Sequence, residues 1–194
     1  MTEISSICVF CGSKTGNDPA YREAAEWLGR ATAERGLRLV YGGGGIGLMG
    51  AAVEAALSAG GKVTGVIPDF LMQYEVGKPD IDELIVVDSM YERKKTMFER
   101  SDGFVILPGG LGTLDEAFEV ITWKQLQLHA KPVVVVDVKG YWRPLGDLIA
   151  HCVAGGFAHP AVAGLFTMVD DVELIFGALA AAPEPKIEVL TDHL

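Results

Sequence analysis

Leu37-Arg38-Leu39-Val40-Tyr41-Gly42-Gly43-Gly44-Gly45-Ile46-Gly47-Leu48-Met49-Gly50 holds the repeating unit of the fold. A mostly apolar, β-favouring run ends at Tyr41, a glycine-rich turn follows, and a segment of helical period runs from Leu48 to Ala59. A strand that enters a helix through a tight glycine turn is the unit of a parallel α/β sheet. Outward from it, strands are predicted at Ser6–Phe10, Leu37–Tyr41, Lys62–Ile67, Leu84–Val87, Gly103–Leu107 and Pro132–Asp137. Helices are predicted at Pro19–Glu34, Leu48–Ala59, Tyr91–Arg100, Leu114–Leu128, Leu145–Val153 and Val172–Ala181, with a short terminal piece over Lys186–Leu190. Val133 to Val136 are hydrophobic without a break, as in a strand covered on both faces. The expected fold is α/β: a Rossmann-like, doubly wound parallel sheet with helices on both faces and its ligand crevice beyond the carboxyl ends of the strands.

A chain of 194 residues, 49% hydrophobic and 22% charged, with mean hydropathy +0.29, predicts one domain over residues 1–194. Sixteen Lys and Arg against 26 Asp and Glu give a net charge of -10, which repels phosphodiester backbones and anionic bilayers. Nucleic acid and membrane are therefore not expected partners. No segment approaches the ~20 apolar residues of a membrane span, and Glu3 stands where a signal peptide carries positive charge. Three cysteines, an odd number, point to a reducing, cytoplasmic location.

Three segments carry chemistry. Gly42 to Gly50 lets backbone N–H groups approach an anion, although a turn needed only for close strand and helix packing also explains it. Pro108-Gly109-Gly110-Leu111-Gly112-Thr113-Leu114-Asp115-Glu116 is a second such turn behind a buried strand. Here Thr113 and Glu116 form a Thr-x-x-Glu capping box, a complete structural explanation of that pair. Against it, Glu119 lies one helical turn from Glu116, so two carboxylates project together from a helix start. Met90-Tyr91-Glu92-Arg93-Lys94-Lys95 places an arginine at a strand end, where it can grip a phosphate or support a carboxylate. The adjoining lysines fit a solvated face equally well.

Other features call for less. Cys8-x-x-Cys11 has no helix directly after it and reads as small core residues. His129, His151, His159 and His193 lack metal-ligand spacing, and neither glycine turn ends in Gly-Lys-Ser/Thr. No metal and no cofactor is expected.

Tyr41-Gly42-Gly43-Gly44 with Gly47-Leu48-Met49-Gly50, Met90-x-x-Arg93-Lys94 and Pro108-Gly109-Gly110-x-Gly112-Thr113-x-x-Glu116 together resemble the Lonely Guy cytokinin-activating phosphoribohydrolases, long mislabelled lysine decarboxylases. The resemblance runs from about Ile7 to Asp170 and includes Cys8-Val9-Phe10-Cys11-Gly12-Ser13 and Thr122-Trp123. It implies hydrolysis of the N-glycosidic bond of cytokinin riboside 5'-monophosphates, with AMP as a candidate further substrate. It implies Glu116 and Arg93 as the catalytic pair. Gly43, Gly44, Gly47, Gly109, Gly110, Gly112 and Thr113 would hold phosphate and ribose, with Met90, Lys94 and Glu119 completing the substrate contacts. A homodimer with active sites near the subunit interface is also implied. Two other readings stay open: a non-catalytic molybdenum-cofactor carrier of the same architecture, and an NAD-dependent oxidoreductase suggested by Gly42-x-Gly44-x-x-Gly47 and Asp69.

Overall fold

The β-branched and apolar runs become β1 (Ser6–Phe10), β2 (Arg38–Tyr41), β3 (Lys62–Pro68), β4 (Glu83–Val87), β5 (Gly103–Ile106) and β6 (Val133–Val136) in a computed structural model that describes residues 4–72 and 80–182. The expected terminal piece at Lys186–Leu190 lies outside the described residues. A seventh strand, β7 (Thr167–Val169), is added to the six expected. It is three residues long and pairs with β6 through Met168 opposite Val135. All pairs are parallel, in the spatial order β4-β3-β2-β1-β5-β6-β7.

Alternation along the strands feeds two cores. Ile7 and Val9 of β1 join Leu28, Ala52 and Leu179 on one face. These belong to α1 (Pro19–Glu34), α2 (Gly47–Ser58) and α6 (Ile175–Ala181). Cys8 and Phe10 join Met97, Ala117, Ile121 and Leu145 on the other face, from α3 (Met90–Glu99), α4 (Leu111–Gln125) and α5 (Arg143–Ala154). With both faces covered, Val133 to Val136 are at most 1% exposed. No helix among the described residues is long and apolar enough to cross a membrane.

Helix starts correct the sequence reading in two places. α4 begins at Leu111 with Gly110 as its N-cap and no side-chain cap bond, so Thr113 and Glu116 do not form a capping box. Thr113 lies inside the first turn, buried at 4% exposure. The reciprocal cap belongs to α3 instead: Glu92 N–H donates to Ser89 Oγ at 3.2 Å and Asp88 N–H donates to the Glu92 carboxylate at 3.0 Å. That cap fixes the turn from which Arg93 projects. The helix expected over Val172–Ala181 is split by a 3-10 turn, Val172–Leu174, before α6 begins.

Gly47 shows how tightly the loops beyond the sheet are drawn together. Its φ is +64°, and a Cβ there would lie 2.3 Å from the carbonyl carbon of Ser13. Gly47→Ala is therefore expected to cost about 3 kcal/mol from left-handed strain and overpacking, seen as a fall in Tm of roughly 6 to 12 °C. An unchanged melting curve would show that the two loops separate freely.

Candidate active site

The sheet turns its winding direction at β1. From β1 the chain passes to α1 on one face, and from β5, its neighbour, to α4 on the other. Loops that diverge beyond adjacent strand ends leave a crevice, the usual ligand position in doubly wound sheets. Backbone bonds tie its rim together: Leu107 N–H donates to Phe10 O at 2.9 Å, Gly12 N–H to Pro108 O at 3.0 Å and Leu48 N–H to Gly12 O at 3.0 Å. Both glycine turns and the end of β1 thus form one rigid ring.

The second turn is shaped from below. A Cβ on Gly109 would lie 2.1 Å from Thr113 Oγ1, so the buried threonine packs directly under that glycine. Gly110 and Gly112 have nothing within 4 Å of a Cβ position and face open space. The first N–H to bond back into α4 is that of Leu114, to Gly110 O at 3.0 Å, which leaves the preceding N–H groups outside the helical ladder. In the first turn, Gly43 (φ +81°) packs on Ile67 and Gly47 on Ser13, so close packing accounts for both.

Arg93 is 6% exposed. Its Nη2 donates to Gly42 O at 2.7 Å and its Nη1 to the Met90 sulfur at 3.8 Å. The guanidinium fills the place a Gly42 side chain would take, since a Cβ there would lie 2.1 Å from Nη2. Arg93 Nε is buried and has no partner among the described residues. Glu116 is half-buried on α4. Burial first, and the Glu116 charge second, push the thiols of Cys8 and Cys11 up, while Arg93 acts on Cys8 in the opposite sense. Both buried thiols stay protonated.

Lys94 is placed differently from its neighbour. Its ammonium lies 3.1 Å from an Asp115 oxygen and 3.2 Å from a Glu119 oxygen, which joins α3 to α4. Partial burial alone lowers its pKa, but the bonds to Asp115 and Glu119 outweigh this and raise it. Glu119 is thereby held by Lys94, one turn beyond Glu116. Asp69, one of the features that suggested an NAD-dependent oxidoreductase, stands in a 3-10 turn after β3.

On the α1 side of the same glycine turn lies a cavity of about 970 Å³ whose walls include Ser13, Lys14, Tyr21, Gly47, Gly109 and Tyr141. Of these, the sequence reading gave a site role only to Gly47 and Gly109. The position of Ser13-Lys14 directly beyond a strand's carboxyl end was the available signal. Tyr141 gave none, because it arrives from beyond β6 and donates its hydroxyl hydrogen to Gly109 O at 2.5 Å.

Fold and crevice define a Rossmann-like α/β protein with an open crevice at the switch point of its sheet. A family model described as "Possible lysine decarboxylase" matches residues 49–179. The chain is 49% identical over 165 residues, 85% of its length and 73% of the relative's, to "Probable cytokinin riboside 5'-monophosphate phosphoribohydrolase LOGL9" of Oryza sativa subsp. japonica. It is 45% identical over 181 residues, 93% of its length and 90% of the relative's, to the cytokinin riboside 5'-monophosphate phosphoribohydrolase of Rhodococcoides fascians. A solved molybdenum-cofactor carrier from Chlamydomonas reinhardtii superposes with a TM-score of 0.70 over 92% of this chain and 96% of that one, at 24% identity, a likeness of fold alone. The chain belongs to the Lonely Guy family of phosphoribohydrolases, the family carried by that lysine-decarboxylase description.

Proposed function

We propose that this protein hydrolyses the N-glycosidic bond of cytokinin riboside 5'-monophosphates, giving the free N6-substituted adenine and ribose 5-phosphate. The supporting observation is the buried Arg93 anchored on Gly42 O, on the same side of the sheet end as the open Gly110–Gly112 turn that leads into Glu116, in a chain related over most of its length to enzymes of that name. As the C1'–nitrogen bond lengthens, positive charge grows on the ribose. The Glu116 carboxylate stabilises that charge and accepts the proton of the attacking water, as carboxylates do in glycoside hydrolysis. The oxygen of water joins C1', and the bonding electrons and a proton go to the departing adenine. Arg93, anchored on Gly42 O, provides a fixed positive charge on the side of the crevice that also carries Asp115, Glu116 and Glu119.

The protein acts as a cytoplasmic homodimer. Met90 (37% exposed), Tyr91 (65%), Leu111 (85%) and Phe118 (37%) form apolar surface on α3 and α4 beside the site, which fits burial against a second copy. Three free thiols fit a reducing compartment. Incubating the protein with isopentenyladenosine 5'-monophosphate or with AMP, with and without a chelator, and separating the products by chromatography tests the reaction. Free base in both buffers is the expected product. Intact nucleotide, or activity that depends on an added divalent ion, overturns it.

A further inference from the structure

Nothing around Gly110 demands a glycine there. A Cβ at that position would have open space, and the φ of -98° is one that any residue adopts. What sets the position apart is the peptide that precedes it. Turning the Gly109–Gly110 peptide over carries the Gly110 φ through about 180°, from -98° into the left-handed region where glycine is at ease. Both orientations are therefore open to this chain. They differ in what they offer, because a trans peptide points its C=O and N–H in opposite directions, so one orientation shows a donor where the other shows an acceptor.

One side chain decides between them. Among the described residues the partner of Gly109 O is the Tyr141 hydroxyl, which donates to it at 2.5 Å, and the Gly110 N–H has none. With the oxygen held by Tyr141, that N–H points away from the tyrosine. The phenol itself is firmly seated. Its ring lies edge to face against those of Tyr21 and Trp142, at centroid distances of 5.4 and 4.9 Å. The chain reaches it through two successive left-handed residues, Lys139 at φ +57° and Gly140 at φ +77°, the first in a conformation that lysine seldom takes. Asp137, 9% exposed, closes that bend: its N–H donates to Val169 O at 2.7 Å and its carboxylate accepts from Trp142 N–H at 2.6 Å. A tie that starts on β7 and runs through the loop after β6 thus ends on one carbonyl of the turn after β5.

We propose, resting on the reaction assigned above, that Tyr141 is a positioning residue whose hydroxyl fixes the Gly109–Gly110 peptide, so that the turn presents the Gly110 N–H, and not the Gly109 oxygen, to the substrate. Without the hydroxyl the peptide turns over in part of the population, and a carbonyl lone pair then faces an anionic nucleotide. Binding has to turn the peptide back. The apparent affinity falls by the fraction of molecules in the competent orientation, while the chemistry of the seated substrate is the same.

Tyr141→Phe keeps both ring contacts and deletes only the donor. With isopentenyladenosine 5'-monophosphate it is expected to raise KM about threefold to tenfold, the worth of one neutral hydrogen bond, with kcat unchanged and Tm moved by less than about 4 °C. A ring that serves packing alone leaves KM where it was. The orientation is read apart from turnover by NMR of the whole protein labelled with 15N-glycine, the Gly110 amide signal being the one that Gly110→Ala removes. Tyr141→Phe is expected to shift or split that signal. Alanine at this position disfavours the turned-over peptide, so Tyr141→Phe added to Gly110→Ala is expected to raise KM no further, whatever Gly110→Ala costs by itself. An unmoved Gly110 signal in Tyr141→Phe, an unmoved KM, or the same KM penalty with and without Gly110→Ala overturns the proposal. If the signal moves as expected but no base is released from any monophosphate, the reaction fails and the hold on the peptide stands. If base is released and neither the signal nor KM responds to Tyr141→Phe, only the role of Tyr141 fails.

Discussion

Glu116→Gln is expected to lower turnover ~100-fold or more, the scale of a lost electrostatic contact to the transition state, while the protein stays folded. Gly110 is the N-cap of α4 and no side chain caps that helix, so the carboxylate does not serve as its cap. Glutamine keeps the shape and the capacity to hydrogen-bond and removes only the charge. Substrate affinity is therefore expected to change little and kcat to carry the loss, as for a group that matters most when the ribose becomes positive. Circular dichroism melts run beside the assay check the separation. Normal turnover in a folded variant removes Glu116 from the chemistry. Parallel losses of Tm and activity would instead assign it a structural role.

Removing the 5'-phosphate from the substrate is expected to be costlier than any single side-chain change. A dianion held by two or more charge-assisted hydrogen bonds, each worth about 1.5 to 3 kcal/mol, contributes on the order of a thousandfold in kcat/KM. The anchor also positions C1' against Glu116, so the nucleoside should lose kcat as well as affinity. The triphosphate should be poor too, because neither glycine turn carries the lysine that serves β- and γ-phosphates. The measurement is kcat/KM for isopentenyladenosine, its 5'-monophosphate and its triphosphate under one set of conditions. Equal values for nucleoside and monophosphate would mean that the glycine turns anchor no phosphate.

The strands most readily found in the sequence were those buried on both faces, because burial writes itself as an unbroken apolar run. Val133 to Val136 is the clearest instance. β7 escaped because three residues, Thr167 to Val169, have neither the length nor the run to stand out, and pairing with β6 is what makes them a strand. The α4 start was misplaced by three residues because Thr113-x-x-Glu116 has the spacing of a cap. The fold instead spends Thr113 beneath Gly109, a contact that no local pattern signals. Arg93 and Glu116 were visible as residue types at strand ends, whereas the partners of Lys94 were not. Asp115 and Glu119 sit on a different helix, and only the packing of α3 beside α4 brings the three together. The cavity that Ser13, Lys14 and Tyr141 line was hidden for the same reason, since its walls come from beyond the ends of four strands, β1, β2, β5 and β6.

The central place of β1 has a consequence for synthesis. Ile7 pairs with Leu39 on one side and with Gly103 on the other. At roughly 5 to 20 residues per second, β5 leaves the ribosome on the order of 5 to 20 s after β1. During that interval a nascent chain with β1 laid against β2 shows the other edge of Ile7-Cys8-Val9-Phe10 bare. These four residues are at most 3% exposed in the finished protein. An apolar edge with unpaired backbone groups is a template for another growing copy. Neighbouring ribosomes on one message would hold such edges at high local concentration until the strand at Gly103 arrives to cover them.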